Sequence, residues 1–303
     1  MSTAHPPESG RERLAGILLV MGSALVWSTG GLIVRSLTLA DSWTTIFWRS
    51  LSATVFLVAL NLIQHGRQAP RVVFGLGWAG LAVAACFAGS SIALIIALSL
   101  TSVANALVIM SSAPLFAAVL GWVFLGERVR PWTWAAIAAT MGGIALMVSD
   151  ATGQDNLLGD AIALAIAVGY GGAIVISRHR RGVSMAPAMV IATAAAMLIA
   201  LPLSHPWQVS RTDAPLLAVF GAGQLGFGML LFAAGSRLVP AAATALLGEL
   251  EPILGPVWVW LFIGERPTGM ALAGGVVVLA ALTAHTLVDV WMERRSVARQ
   301  TGG

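Results

Sequence analysis

Apolar residues run through this chain in long blocks separated by short polar links. Ten blocks reach or approach the about 20 residues that a helix needs to cross a bilayer. They lie at 14–34, 42–63, 75–98, 103–125, 131–149, 157–177, 184–203, 215–236, 240–263 and 268–290. A helix that is apolar on every side has no wet face, so protein or lipid must surround it. The separators at 64–71, 149–156, 178–183 and 204–213 hold turn formers and charges. Links this short make successive helices antiparallel neighbours. The pattern predicts an all-α integral membrane protein of ten transmembrane helices, with no soluble domain and with polar, frayed tails.

One block repeats. The stretch 111–128, SSAPLFAAVLGWVFLGER, returns at 249–266 as ELEPILGPVWVWLFIGER. Pro114 falls on Pro252, and Gly126-Glu127-Arg128 falls on Gly264-Glu265-Arg266, all at an offset of 138 residues. Trp27 and Arg35 correspond to Tyr170 and Arg178 at an offset of 143, a drift that loop insertions explain. The expected division is a cytoplasmic tail at 1–13, a first repeat at 14–149 (helices one to five), a periplasmic linker at 150–156, a second repeat at 157–290 (helices six to ten) and a cytoplasmic tail at 291–303. Because five is odd, the two halves run in opposite senses, which makes the repeat an inverted one around a central cavity. Inverted repeats with interrupted helices at corresponding positions point to a transporter.

Composition agrees and narrows the function. The chain is 58% hydrophobic and 10% charged, with a mean hydropathy of +0.87. Its net charge of +4 and pI near 10.9 would suggest nucleic acid in a soluble protein. Here all 17 basic residues are arginines and they sit between the apolar blocks, where they set topology and meet anionic headgroups. With a cytoplasmic N-terminus, thirteen arginines fall inside and only Arg35, Arg211 and Arg266 outside, while Arg49 lies within a span. Both termini are therefore expected in the cytoplasm, in a cytoplasmic (inner) membrane. No small-residue cleavage pattern closes the 14–34 block, so it is expected as a retained helix. Cys86 is the single cysteine, which excludes an internal disulfide. The absence of lysine excludes a G-x-x-x-x-G-K-[ST] phosphate loop. The five histidines form no metal-ligand pattern and no nucleophilic Ser–His pattern. No catalytic residue, metal or cofactor is expected, nor a nucleic-acid partner, which leaves an intramembrane enzyme as a remote alternative.

Several stretches carry a family resemblance. Thr101-Ser-Val-Ala-Asn-Ala-Leu, Ala113-Pro114-Leu115, Leu125-Gly126-Glu127-Arg128 and Gly142-Gly143 resemble the EamA domain of the drug/metabolite transporter superfamily, as does Phe47-Trp48-Arg49 in the second helix. The second half repeats the core with Val239-Pro-Ala-Ala-Ala-Thr, Glu251-Pro252 and Gly264-Glu265-Arg266. The resemblance covers 14–290. It implies ten helices in two inverted five-helix repeats and, since family members are mostly exporters of amino acids and other metabolites, export by alternating access. In length and layout the chain is most similar to amino-acid exporters of that family. It departs from the pattern at Gly248-Glu249-Leu250-Glu251, where the first half carries Ser111 and Ala113.

Polar groups at membrane depth are costly, and each invites a functional reading. Glu251 precedes Pro252, which frees a backbone carbonyl one turn earlier. In a continuous helix Glu249 points roughly opposite to Glu251, so one carboxylate faces the cavity and the other packs; Glu251 is expected to face it. Ten tryptophans lie near span ends and read as an interfacial belt, whereas Trp27 and its mate Tyr170 lie at mid-depth beside small residues. The expected substrate-binding residues are Trp27, Ser91, Asn105, Tyr170, Gln224 and Glu251. Glu249, Glu251 and Arg49 are candidates for proton or charge coupling. Arg49 has three readings, snorkelling outward, pairing with a carboxylate such as Asp41, or binding a substrate carboxylate, of which a structural pairing is preferred. Pro114, Pro252, Glu127, Arg128, Glu265 and Arg266 are expected to be structural. The expected partners are a small-molecule substrate, an amino acid or metabolite, and the lipid bilayer, with the monomer as working unit. The alternative substrate is a cationic drug or dye.

Overall fold

The computed structural model describes residues 10–39, 41–100, 109–147, 149, 157–179, 186–264 and 268–301, and within these every regular element is helical. Seven helical stretches are long and apolar enough to cross a membrane: Arg11–Val34, Ser42–Phe74, Gly77–Leu94, Leu157–His179, Ala186–Leu203, Asp213–Gly235 and Ala241–Ile263. Two shorter apolar helices, Ala113–Leu125 and Leu272–Val288, join them. Leu18, Phe74, Phe124, Leu261, Phe262 and Val276 are exposed on the outside of the bundle, an apolar surface that water would not tolerate and lipid requires.

The helices are α1 (Gly10–Ser28), α2 (Gly30–Ser36), α3 (Ser42–His65), α4 (Ala69–Phe74), α5 (Gly77–Leu100), α6 (Ala113–Leu125) and α7 (Pro131–Met147), then α8 (Leu157–His179), α9 (Ala186–Ala200), α10 (Asp213–Ala218), α11 (Gly228–Gly235), α12 (Ala241–Gly248), α13 (Leu250–Ile263) and α14 (Gly269–Thr301). Between α10 and α11 the chain keeps helical dihedrals but widens into a π-helix over Val219–Phe227. The first half closes where its repeat predicts. Gly126 and Gly264 adopt left-handed backbone (φ 67° and 83°) and end α6 and α13. Only glycine takes that conformation without a steric penalty, so the glycine of each Gly-Glu-Arg is a helix stop. Two boundaries differ from expectation. The 64–71 link is itself helical, and α14 continues to Thr301 through the expected frayed tail, since no glycine or proline interrupts 276–301.

Close pairings run between α1 and α11, α5 and α8, α3 and α9, and α7 and α14, and α6 lies against α8 and α12. The π-helix packs on α3, α9 on α5, and α1 and α2 on α13. Without a hydrophobic force between helices in lipid, contacts this close depend on small residues. Ala53, Ala117, Ala188, Ala241 and Ala245 are fully buried. Where α7 crosses α14, a Cβ built on Gly143 would fall 2.6 Å from Val278 Cγ2, so glycine is required for that approach.

Candidate functional site

Three irregular backbone segments meet inside the bundle. At Thr29 the first span breaks between α1 and α2. At Glu249 the ninth expected span breaks between α12 and α13, three residues before the Pro252 that cannot donate to the Gly248 carbonyl. The third segment is the π-helix, whose wider turn sets Gln224 inward, buried to 5% exposure. Such widened turns are frequent at functional sites. The first half carries the matching break, a turn at Ser111-Ser112 ahead of α6 with Pro114 in its first turn.

Gln224 ties the site together. Its Nε2 donates to the Trp27 carbonyl at 2.7 Å, and its Oε1 accepts from Arg49 Nη2 at 3.1 Å. Arg49 reaches in from α3 and lies 4.5 Å from the Phe220 ring centroid, a cation–π contact. The α3 backbone comes this near because position 221 is glycine; a Cβ there would overlap the Arg49 carbonyl oxygen. Asp41 is not the partner of Arg49. Its carboxylate caps α3, accepting from the Trp43 and Thr44 N–H groups at 3.2 and 3.1 Å and from the Thr44 hydroxyl. A carboxylate one residue before a helix is taken by that helix's free N–H groups, which leaves none for an arginine two turns on.

On the other side stand the carboxylates. Glu251 interacts electrostatically with Arg49, and both Glu249 and Glu251 act on Tyr170. The turn at Glu249 interrupts the continuous helix on which that expectation of opposite faces was built. Neither carboxyl accepts a hydrogen bond among the described residues. Gly248 gives Tyr170 its room, a Cβ there falling 3.1 Å from the phenol oxygen.

Between the arginine and the acids runs an aromatic wall. Trp27 packs on Phe232 with centroids 5.3 Å apart, Phe232 on Tyr170 at 5.5 Å, and Phe87 edge-on to Tyr170 and Phe232 at 6.2 and 5.7 Å. Trp27 Nε1 is buried with no acceptor among the described residues. Gly228 makes space for that indole, since a Cβ there would overlap it. Gln224 thus joins Trp27 and Arg49, Phe232 links Trp27 to Tyr170, and Glu249 and Glu251 act electrostatically on Tyr170. Ser91 does not join these contacts; its neighbour Ser90 faces Gly169 across the α5–α8 contact. Asn105, Glu265 and Arg266 lie outside the described residues. Phe87, Phe220 and Phe232 are additions that no pattern marks, because phenylalanine among leucines and alanines reads as ordinary apolar filling. Trp258, counted with the interfacial belt, instead donates from Nε1 to Ser28 Oγ at 2.8 Å and joins α13 to α1.

Glu127 has more to hold than its own hairpin. Its Oε1 accepts from Arg178 Nε at 2.6 Å and its Oε2 from the Ala241 N–H at 3.2 Å, while Arg178 Nη1 donates to the Arg237 carbonyl at 3.1 Å. The residue therefore joins the link after α6 to the end of α8 and the start of α12.

Broken apolar helices, an exposed apolar surface and a polar cluster walled by aromatic rings define a multi-pass membrane transporter. The chain belongs to the EamA-like transporter family, whose model matches residues 14–149 and 157–286. An uncharacterized transporter of Pseudomonas aeruginosa is 28% identical over 194 residues, covering 60% of this chain and 61% of that one. The pseudopaline exporter CntI of Pseudomonas aeruginosa is 25% identical over 281 residues, covering 89% of this chain and 95% of that one. Human solute carrier family 35 member G1 is 24% identical over 59% of this chain and 54% of its own length. A solved crystal structure superposes with a TM-score of 0.79 at 18% identity, covering 91% of this chain and 99% of that one, which speaks to the fold alone. Family and relatives point to a transporter and not an enzyme.

Proposed function

We propose that this chain exports amino acids or related small amphipathic metabolites from the cytoplasm, by alternating access of two inverted five-helix repeats. The observation that carries this reading is the meeting of Arg49 and Gln224 with an aromatic wall at interrupted helices, and two carboxyls that act electrostatically on its Tyr170. A zwitterion matches the set, its carboxylate to Arg49 and Gln224, its ammonium to Glu251, and its apolar part to Trp27, Phe232 and Tyr170. Export, rather than uptake, is favoured by the name of the relative that matches over 95% of its length.

Support for the inverted repeat comes from the packing. Exchanging the halves turns the α1–α11 contact into α8–α5, the π-helix on α3 into α5 on α9, and α13 on α1 into α6 on α8. The α3–α9 and α7–α14 contacts map onto themselves. In this reading the working unit is a monomer in the cytoplasmic membrane with both termini inside.

The excess of two carboxylates over one arginine favours a second reading, efflux of cationic drugs or dyes, and also suits a glutamate that carries a proton. Growth of cells expressing the protein under toxic amino-acid analogues tests the first reading. It predicts resistance that Glu251→Gln removes; dye resistance without amino-acid resistance would favour the second.

A further inference from the structure

Gln224 is the middle member of a chain of contacts, and both ends of its amide are spent within the protein. Its Nε2 donates to the Trp27 carbonyl at 2.7 Å, in the last turn of α1, where the helix has no amide of its own left to offer. Its Oε1 accepts from Arg49 Nη2 at 3.1 Å. A carbonyl only accepts and a guanidinium only donates, so the two ends of the amide cannot be exchanged. An ionised glutamate of the same length could serve Arg49 and not the carbonyl; a leucine could serve neither. Glycine admits the arrangement from two sides. A Cβ on Gly30 would fall 2.9 Å from Gln224 Nε2, and one on Gly221 would overlap the Arg49 carbonyl oxygen.

The guanidinium is thereby fixed without being used up. Its face lies over the Phe220 ring, 4.5 Å from the centroid, and a face contact leaves the in-plane N–H groups available. Glu251 acts on it electrostatically but accepts no hydrogen bond among the described residues. Nη2 is taken by Gln224, whereas Nε is buried with no hydrogen-bond partner among the described residues. The indole N–H of Trp27 is in the same condition. A buried donor left unpaired is costly, and here two of them fall on the two residues that Gln224 joins. We propose that Gln224 is a positioning residue that aims the Nε edge of Arg49 at the substrate, and that this edge selects substrates carrying a carboxylate. That selection rests on the exporter reading for the kind of molecule involved and divides the work of its Arg49–Gln224 pair. Arg49 is the contact, and Gln224 acts through it.

The test compares amino acids with the amines that lack only the carboxylate, and adds phenylacetate, a carboxylate without an ammonium group. It uses the purified full chain, wild type beside Gln224→Leu and Gln224→Glu. Binding is read in detergent from the thermal unfolding midpoint, which a ligand of the native state raises, and transport as flux into liposomes. In the wild type at least one amino acid should raise the midpoint, with an apparent affinity at least about tenfold above that of its amine, the scale of one charge-assisted hydrogen bond. Gln224→Leu should bring the amino acid down to the level of the amine and leave the amine within about twofold, because the amine never uses the Arg49 edge. In liposomes the same variant should raise KM about tenfold and leave the maximal rate within about twofold, the mark of lost binding alone. Gln224→Glu, whose own carboxylate pairs with Arg49, should abolish the preference as well. A purely structural glutamine would weaken amino acid and amine alike, and that result overturns the proposal. So does a wild type that binds amino acid and amine equally, or that binds neither an amino acid nor phenylacetate; this comparison holds even where a variant does not fold. A rise with phenylacetate and no amino acid supports the Arg49 edge and contradicts the amino-acid class, and a rise with an amino acid without flux supports the edge and contradicts transport.

Discussion

The two proline breaks share one architecture and differ in one property. In the first half the turn at Ser111-Ser112 leads into α6, and the Ser112 hydroxyl donates to the Ile109 carbonyl at 2.5 Å, satisfying itself locally. In the second half Glu249 stands in the turn and Glu251 in the first turn of α13, their carboxyls accept no hydrogen bond among the described residues, and they act electrostatically on Tyr170, Glu251 on Arg49 as well. The backbone device is duplicated; the charge is not. Repetition therefore explains how the bundle is built, and its failure at these two positions is where the proposed substrate site departs from it.

The largest effect expected from this contrast is on transport. Glu251→Gln should reduce flux at least about a hundredfold, since a charged contact at a desolvated site is worth roughly 3 kcal/mol, whereas Ala113→Ser at the matching position should leave it within about twofold. Equal losses at the two positions would dissolve the contrast. Next come the close approaches on the π-helix. Gly221→Ala forces a Cβ into the Arg49 carbonyl and should lower stability by about 2–3 kcal/mol with loss of activity, while Gly89→Ala, which has nothing within 4 Å, should change stability by less than about 1 kcal/mol. Thermal unfolding in nanodiscs distinguishes these.

A smaller effect belongs to the clasp. Glu127→Gln keeps its shape but loses the charge that Arg178 needs, and should cost about 1–3 kcal/mol of stability. The smallest belongs to Asp41. Burial raises the pKa of its carboxyl, but the hydrogen bonds from the Thr44 hydroxyl and from the Thr44 and Trp43 amides outweigh burial and hold it below the ordinary value. A carboxyl shifted downward adds stability above its unfolded-state pKa and loses it as pH falls through the folded one. Asp41→Ala should therefore cost about 1 kcal/mol near neutral pH, and the gap between variant and wild type should close in acid.

How much of this was legible in the chain depends on what each feature rests on. The spans were readable because a bilayer demands apolar length, and the breaks because proline cannot donate. Trp27, Tyr170, Gln224 and Glu251 were readable because polar or amphipathic groups stand out in an apolar helix. The π-helix was not, since Val219–Phe227 has the same residue types as its neighbours and only the packing of Gly221 and Gly226 on α3 selects the wider turn. The partner of Arg49 was misjudged for a related reason: Asp41 is near in sequence, while Gln224 lies 175 residues away and only the fold brings it close. Phe232, which links Trp27 to Tyr170, was invisible among the leucines of its helix.

The central claim is that Trp27, Tyr170, Arg49 and Glu251 line one substrate path. It is tested most directly by uptake of a panel of labelled amino acids into liposomes holding the purified protein, wild type beside Glu251→Gln. The account predicts flux above empty vesicles for at least one amino acid and its loss in the variant. No flux for any member of the panel would contradict the substrate class, and equal flux in wild type and variant would contradict the site.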